Sequence, residues 1–82
     1  MSADNENILL NRIVTDPKIL SGKPVIRGTR LSVQFVLGLL SSGSSFQEIL
    51  DEYPDLAKED IQACFHFAIH SLESSSYLPL SA

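Results

Sequence analysis

Apolar and polar residues follow two different patterns along the chain, and the pattern changes near residue 31. Short β-branched runs at residues 12–15 and 24–27 are bounded by turn-forming residues. They predict two strands, joined by a loop with one tight helical turn at residues 17–20. Gly28 follows the second run, where a positive backbone φ is expected. Later apolar residues recur at helical spacing, so the chain is predicted to be mostly α, with a short N-terminal β-hairpin before three helices.

The first two helices are predicted from their start and stop signals. Ser32 is a suitable N-cap for the first helix, and Gly43 is a suitable left-handed residue just beyond its end. Ser45 and Glu48 have the spacing of a capping box, which opens a second helix that Pro54 ends.

The third helix is predicted to begin near Lys58. Residues expected to share its core-facing side are Ile61, Cys64, Phe65, Ala68 and Leu72. Polar residues expected on the opposite side are Glu59, Gln62, His66, His70 and Glu73. Phe67 belongs to neither group, and it is therefore a candidate contact for a second subunit.

A short helix, a turn and a longer helix, preceded by another helix, have the outline of a helix-turn-helix unit. The predicted organisation is a flexible N-terminus at residues 1–11, a single domain at residues 12–73 and a C-terminal tail at residues 74–82. The 82-residue length suits one domain with a small core, which commonly depends on a dimer or a partner.

Composition narrows the class of protein. The chain is 44% hydrophobic and 20% charged, as in ordinary folded domains, and it has no apolar stretch near the roughly 18 residues that cross a membrane. Acidic residues near Met1 do not fit a secretory signal, and the single Cys64 excludes an intrachain disulfide. We therefore expect a cytoplasmic protein without membrane contact.

Charge is distributed unevenly, although the net charge is −4. Five of the six basic residues lie between residues 12 and 30, whereas residues 31–60 carry six acids and one lysine. A basic front and an acidic middle indicate two different partners. The candidate DNA-binding residues are Lys23, Arg27, Arg30 and Gln62, the last as a base reader. The alternative is that Arg30 and Arg12 pair with the acidic helix inside the same molecule.

Enzymatic chemistry finds little support in the sequence. His66, His70 and Glu73 have the i, i+4, i+7 spacing that can hold zinc, but no second segment offers a further ligand or a catalytic base. Carboxylates between residues 48 and 55 have the character of a solvated surface, and Cys64 lies on the core side of its helix. We expect no catalytic, cofactor or metal site, and hence no enzyme.

Several elements of the chain, taken in order, resemble one family. Residues 12–20 are followed by Gly22-Lys23-Pro24 and Gly28-Thr29-Arg30, then by a helix closing on Gly43, by Glu48–Pro54 and by Glu59-Asp60-Ile61. This succession resembles the domain of unknown function 433 family. The resemblance implies a homeodomain-like or winged-helix-like fold and the role of antitoxin in type II toxin–antitoxin pairs, beside a PIN-like ribonuclease toxin. The chain departs from the family pattern in having Ala57 where a Ser or Thr cap is usual, and in an uncharged tail.

The leading hypothesis is therefore an antitoxin-like, homodimeric module that binds promoter DNA and a PIN-like toxin. In addition to Phe67, its predicted partner or dimer contacts are Tyr77, Leu78 and Leu80 in the tail. The alternative is a protein-interaction adaptor, or an uncharacterised family member, that does not bind DNA.

Overall fold

The structure is a computed structural model that describes residues 8–74. The elements in this range are β1 (Ile13–Val14), a short 3-10 helix (Leu20–Gly22), β2 (Val25–Ile26), α1 (Val33–Ser41), α2 (Phe46–Glu52) and α3 (Lys58–Ser74). Residues 8–10, ahead of β1, are also helical, and Leu9 is buried. Ordered structure thus begins before residue 12. The predicted mostly helical fold with a short antiparallel hairpin is confirmed.

The hairpin is shorter than predicted. Ile13 pairs with Ile26 and Val14 with Val25 in an antiparallel register. Pro24 has no N–H group to donate, which helps to end the pairing there. The 3-10 helix begins three residues later and ends two residues later than the helical turn predicted at residues 17–20.

The turn after β2 positions Arg30. Gly28 has a φ of +80°, as predicted, with no other atoms within 4 Å of where a side chain would begin. The Thr29 hydroxyl donates to the Ile26 carbonyl at 2.8 Å and accepts from the Leu31 N–H at 3.0 Å. The turn therefore holds the exposed Arg30 where it lines one cleft with Phe35 and another with Glu52 and Asp55.

The predicted helix caps are confirmed. The Ser32 hydroxyl accepts from the Phe35 N–H at 2.9 Å, and Gly43, with a φ of +103°, follows the end of α1. At α2, the Ser45 hydroxyl accepts from the Glu48 N–H at 3.1 Å, while the Glu48 carboxylate accepts from the Ser45 N–H at 2.9 Å. These local bonds satisfy backbone groups that each helix leaves unpaired at its ends.

The start of α3 uses a buried carboxylate in place of a hydroxyl cap. One oxygen of Asp60 accepts from the Ala57 N–H at 2.8 Å, and the other accepts from the Arg12 guanidinium at 3.0 Å. Asp60 is therefore half of a capping box and, through Arg12, a link between α3 and the residues next to β1. Its place in the first turn of α3 was expected from the sequence, but its burial was not.

The core lies where α1, α2 and α3 meet β2. Its buried members are Ile26, Val33, Val36, Ile49, Leu56, Ile61 and Cys64. The helix α1 packs mainly against α3, and both α2 and β1 also contact α3. The long helix α3 is thus the element against which the rest of the described chain is assembled.

The predicted core-facing side of α3 is partly wrong. Ile61 and Cys64 are buried, but Phe65 and Leu72 are exposed, whereas Phe67 packs against the core. At 100° per residue, Phe67 lies roughly opposite Phe65 and Leu72, whereas buried Ile61 lies on the same side as Phe65, one turn earlier. Phe67 is half-buried, packs against the core and also lines a groove beside α1, and its role as a subunit contact stays a prediction.

Candidate partner and nucleic-acid interfaces

An apolar stripe is exposed on α3, and we call it the α3 face. It consists of Phe65, Ile69 and Leu72, which are 42%, 50% and 59% exposed. Their i, i+4, i+7 spacing places them on one side of the helix, away from buried Cys64. Three large apolar side chains in one stripe are more than the isolated exposed residues common on monomers, so the α3 face has the character of a contact surface.

The α3 face adjoins an acidic surface. Phe65 stacks on Phe46 of α2, with ring centroids 6.1 Å apart and an interplanar angle of 16°. On the outer side of α2, Glu48, Asp51 and Glu52 are exposed. Residues 46–74 together carry seven acids and one lysine, and six of these acids are exposed, because Asp60 is buried and paired with Arg12. The helices that hold the stripe therefore present a strongly negative surface to a partner.

Two of the five basic residues at the front of the chain have internal roles. Arg12 pairs with Asp60, as the intramolecular alternative for Arg12 proposed. Arg27 donates two hydrogen bonds, of 3.0 and 2.7 Å, to the Asn11 carbonyl oxygen. These bonds hold the segment before β1 against the hairpin. Arg27, which is predicted to contact DNA, therefore also has a structural role in the fold.

Lys23 and Arg30, two of the candidate DNA-binding residues, both line one cleft of about 530 Å³. Both side chains are exposed, and neither forms an ion pair with another described residue. The cleft is also lined by Leu20 and Phe35, which are 41% and 43% exposed. It thus combines two available cations with apolar walls.

One wall of this cleft is built from unusual backbone. Leu20, Ser21 and Gly22 have consecutive positive φ values of 48°, 58° and 84°. For Leu and Ser this conformation costs about 1–2 kcal/mol per residue. Strain of this kind concentrates at functional sites. No signal in the sequence pointed to it, because Leu20 has no preference for left-handed backbone.

The remaining predicted site residues are the candidate base reader Gln62 and the candidate partner contacts. Gln62 is half-buried on α3, which leaves it less accessible to a base edge than an exposed side chain would be. Phe67 packs against the core and also lines a surface groove with Leu37 and Ala68. Tyr77, Leu78 and Leu80 lie outside the described residues.

Candidate catalytic chemistry is sparse in residues 8–74. In this range, no group of three or more His, Cys, Asp or Glu side chains has an arrangement that could hold a metal ion. Burial, together with the nearby Asp60 charge, raises the pKa of Cys64 to about 12. Its thiol stays protonated at neutral pH and is a poor nucleophile.

No helix in this part of the chain is long and apolar enough to cross a membrane.

The sequence pattern and this fold agree with a known family. Residues 13–68 match the family described as Protein of unknown function (DUF433). The chain belongs to this family. A crystal structure of a DUF433 member protein from Anabaena variabilis ATCC 29413 has a TM-score of 0.72 and 30% sequence identity, over 87% of this chain and 70% of that chain. The family assignment is thus supported by both sequence and fold.

A curated relative extends the comparison. Uncharacterized protein y4eO of Sinorhizobium fredii is 36% identical over 56 residues, which make up 68% of this chain and 25% of the relative. The chain therefore spans about a quarter of that protein's length. The description of the DUF433 family names no activity. The surfaces of this molecule are therefore the basis for its proposed function.

Proposed function

We propose that this DUF433 protein is an antitoxin-like binding module, without enzymatic activity, that captures a basic protein partner through the α3 face. The carrying observation is the exposed stripe of Phe65, Ile69 and Leu72 beside an acidic surface. Burial of such side chains supplies the affinity of a contact, and the surrounding charge selects the partner.

The charge of the surface favours a particular class of partner. With six exposed acids and one lysine in residues 46–74, a second acidic chain is repelled and a basic one attracted. A ribonuclease carries positive charge where it holds RNA, and an acidic surface can occupy that place. The PIN-like ribonuclease implied by the family resemblance meets this requirement.

The test is binding to the purified product of the neighbouring gene, measured by calorimetry. Phe65→Ser should weaken binding at least about tenfold, which corresponds to about 1.4 kcal/mol, because a large exposed aromatic is lost from the contact. The matched control is Phe35→Ser, since Phe35 is 43% exposed on α1 and Phe65 is 42% exposed on α3. Equal affinity of the wild type and Phe65→Ser would overturn the proposal.

A second candidate function is contact with promoter DNA, which the exposed Lys23 and Arg30 on one cleft favour. In this proposal α2 and α3 form the helix-turn-helix pair, and the two cations bind phosphates. The exposed side of α3 is apolar and its Gln62 is half-buried, which supports phosphate contact more than base reading.

DNA contact is tested by the salt dependence of promoter binding, with and without the partner. Changing Lys23 and Arg30 together to Gln should flatten the slope of log affinity against log salt by about two, because each phosphate contact contributes about one. Lys18→Gln is the control, since Lys18 is an exposed lysine that does not line the cleft. If promoter DNA is bound by neither the protein nor its complex, the module is an adaptor without DNA binding.

A further inference from the structure

A second groove lies between α1 and the C-terminal half of α3. Its volume is about 350 Å³, and its lining includes Pro24, Val33, Leu37, Phe67, Ala68 and Ser71. Most of these side chains are apolar, and the groove is on a different side of α3 from Phe65, Ile69 and Leu72. Phe67, which the sequence pattern singled out as a subunit contact, lies in its wall.

We propose that this groove is the docking site for the chain's own residues 77–80, Tyr-Leu-Pro-Leu, which fold back along α3. Position supports this occupant, because Ser71 lines the groove and the segment follows only a few residues later. A helix rises about 1.5 Å per residue, so Phe67 lies about 10 Å back along the axis from Ser74. Six residues, 75–80, span at most about 20 Å when extended, so the chain can turn at the end of α3 and still bring residues 77–80 along the groove to Phe67.

The chemistry of the segment also suits the groove. Residues 74–82 contain no charged side chain, and three of residues 77–80 are large and apolar. Docking therefore buries apolar surface without removing a charge from water. Pro79 restricts its own backbone and lowers the entropy lost on ordering the segment.

Other occupants fit less well. Lys23 lies at one edge of the groove, which disfavours the basic partner that the α3 face suits. The same segment from a second copy has the same chemistry, but the segment of the same chain has a much higher effective concentration. The tail is therefore assigned to this groove in its own chain, apart from the partner surface.

Disulfide trapping in the full-length chain tests the placement. Gln34 is exposed and lines the groove, so Gln34→Cys with Tyr77→Cys should form an intramolecular disulfide under mild oxidation. Gln47→Cys with Tyr77→Cys is the control, because Gln47 is exposed on α2 and does not line the groove. The native Cys64 is buried, and a Cys64→Ala background removes any contribution from it.

The expected result is a monomeric product that has lost two hydrogens, at least about tenfold faster for the Gln34 pair than for the Gln47 pair. A disulfide-linked dimer as the sole product would overturn docking in the same chain and indicate a second copy. Equal rates for the two pairs would overturn the groove as the docking site.

A stability measurement provides an independent readout. Changing Tyr77, Leu78 and Leu80 to Ser keeps the chain length but removes the apolar surface of the segment. The urea midpoint should fall, and the fluorescence of an added hydrophobic dye should rise as the groove is uncovered. An unchanged midpoint together with unchanged dye fluorescence would contradict the proposal.

Discussion

Backbone dihedral angles separate the glycines that the fold requires from those it merely contains. Gly28 has a φ of +80° in the turn after β2, which an L side chain adopts only with strain. Gly38 lies inside α1, where glycine lowers helix stability. At neither position do other atoms lie within 4 Å of where a Cβ would be, so conformation alone distinguishes the two sites.

Alanine should therefore have opposite effects at these two residues. Gly28→Ala should lower the free energy of unfolding by about 1 kcal/mol or more, because the added Cβ strains the left-handed backbone. Gly38→Ala should raise it by roughly 0.5–1 kcal/mol, since alanine is the better helix former. Urea denaturation measures both, and effects of the same sign would contradict the interpretation.

Cys64 gives a prediction for high pH. Burial first, and the Asp60 charge second, raise its pKa from 9.0 to about 12 in the folded chain. Between these values the unfolded chain loses the proton and the folded chain keeps it, so stability falls as pH rises above 9.0. The fall in the urea midpoint from about pH 8 to about pH 10 should be smaller in Cys64→Ala. An identical fall in both proteins would show that Cys64 does not contribute.

At the scale of elements, the early and later turns of α3 have different roles. Asp60 anchors the first turn, and Ile61 and Cys64 belong to the core, whereas Phe65 and Ile69 are exposed further along the helix. Ile61 and Phe65 are four residues apart and share one side of α3, so the exposure of that side increases along the helix. Changes at Phe65 and Ile69 should therefore alter binding more than folding.

Of the two carboxylates in the first turn of α3, Asp60 should be the one whose replacement lowers the free energy of unfolding more. Asp60→Ala removes the acceptor for the Ala57 N–H and leaves the half-buried Arg12 without its ion-pair partner. We expect a loss of about 2 kcal/mol or more in the free energy of unfolding. Glu59→Ala is the matched control, because Glu59 is exposed in the same turn and should cost about 0.5 kcal/mol. If the two substitutions lowered the free energy of unfolding by similar amounts, the proposed anchoring role of Asp60 would be wrong.

At the scale of the whole molecule, positive and negative surfaces are kept on different elements. Lys23 and Arg30 flank a cleft beside the hairpin and α1, whereas most exposed acids lie on α2 and the start of α3. The two surfaces meet where Arg30 lines another cleft with Glu52 and Asp55. This separation supports two different contacts and disfavours self-association through the acidic α3 face.

The small size of the chain still predicts a homodimer at micromolar concentration. Sedimentation should give about twice the chain mass of 9.0 kDa. Phe65→Ser should leave this mass unchanged, because the acidic α3 face repels a second copy. Phe67→Ser should instead lower stability, since Phe67 packs against the core. A mass of 9.0 kDa at every concentration would contradict the dimer.

The sequence by itself determined the features that depend on neighbouring residues. Ser32, Gly43 and the Ser45–Glu48 pair marked the helix ends, and the β-branched runs marked the hairpin. Caps and turns are closed by side chains within about four residues, so local pattern is enough to predict them. The family resemblance also depended on such local elements and was confirmed.

Tertiary structure decided the features that join distant residues. Packing decided which residues of α3 face the core, since Phe67 is half-buried against it and Phe65 is exposed. Arg12 and Asp60 are 48 residues apart, and no local pattern could pair them. Tertiary contacts also distinguish the candidate DNA-binding residues. Arg27 donates to the Asn11 carbonyl, whereas Arg30 lines an open cleft. Amphipathic spacing indicates which residues can share a surface. Whether that surface is buried or exposed is determined only when the helices pack together.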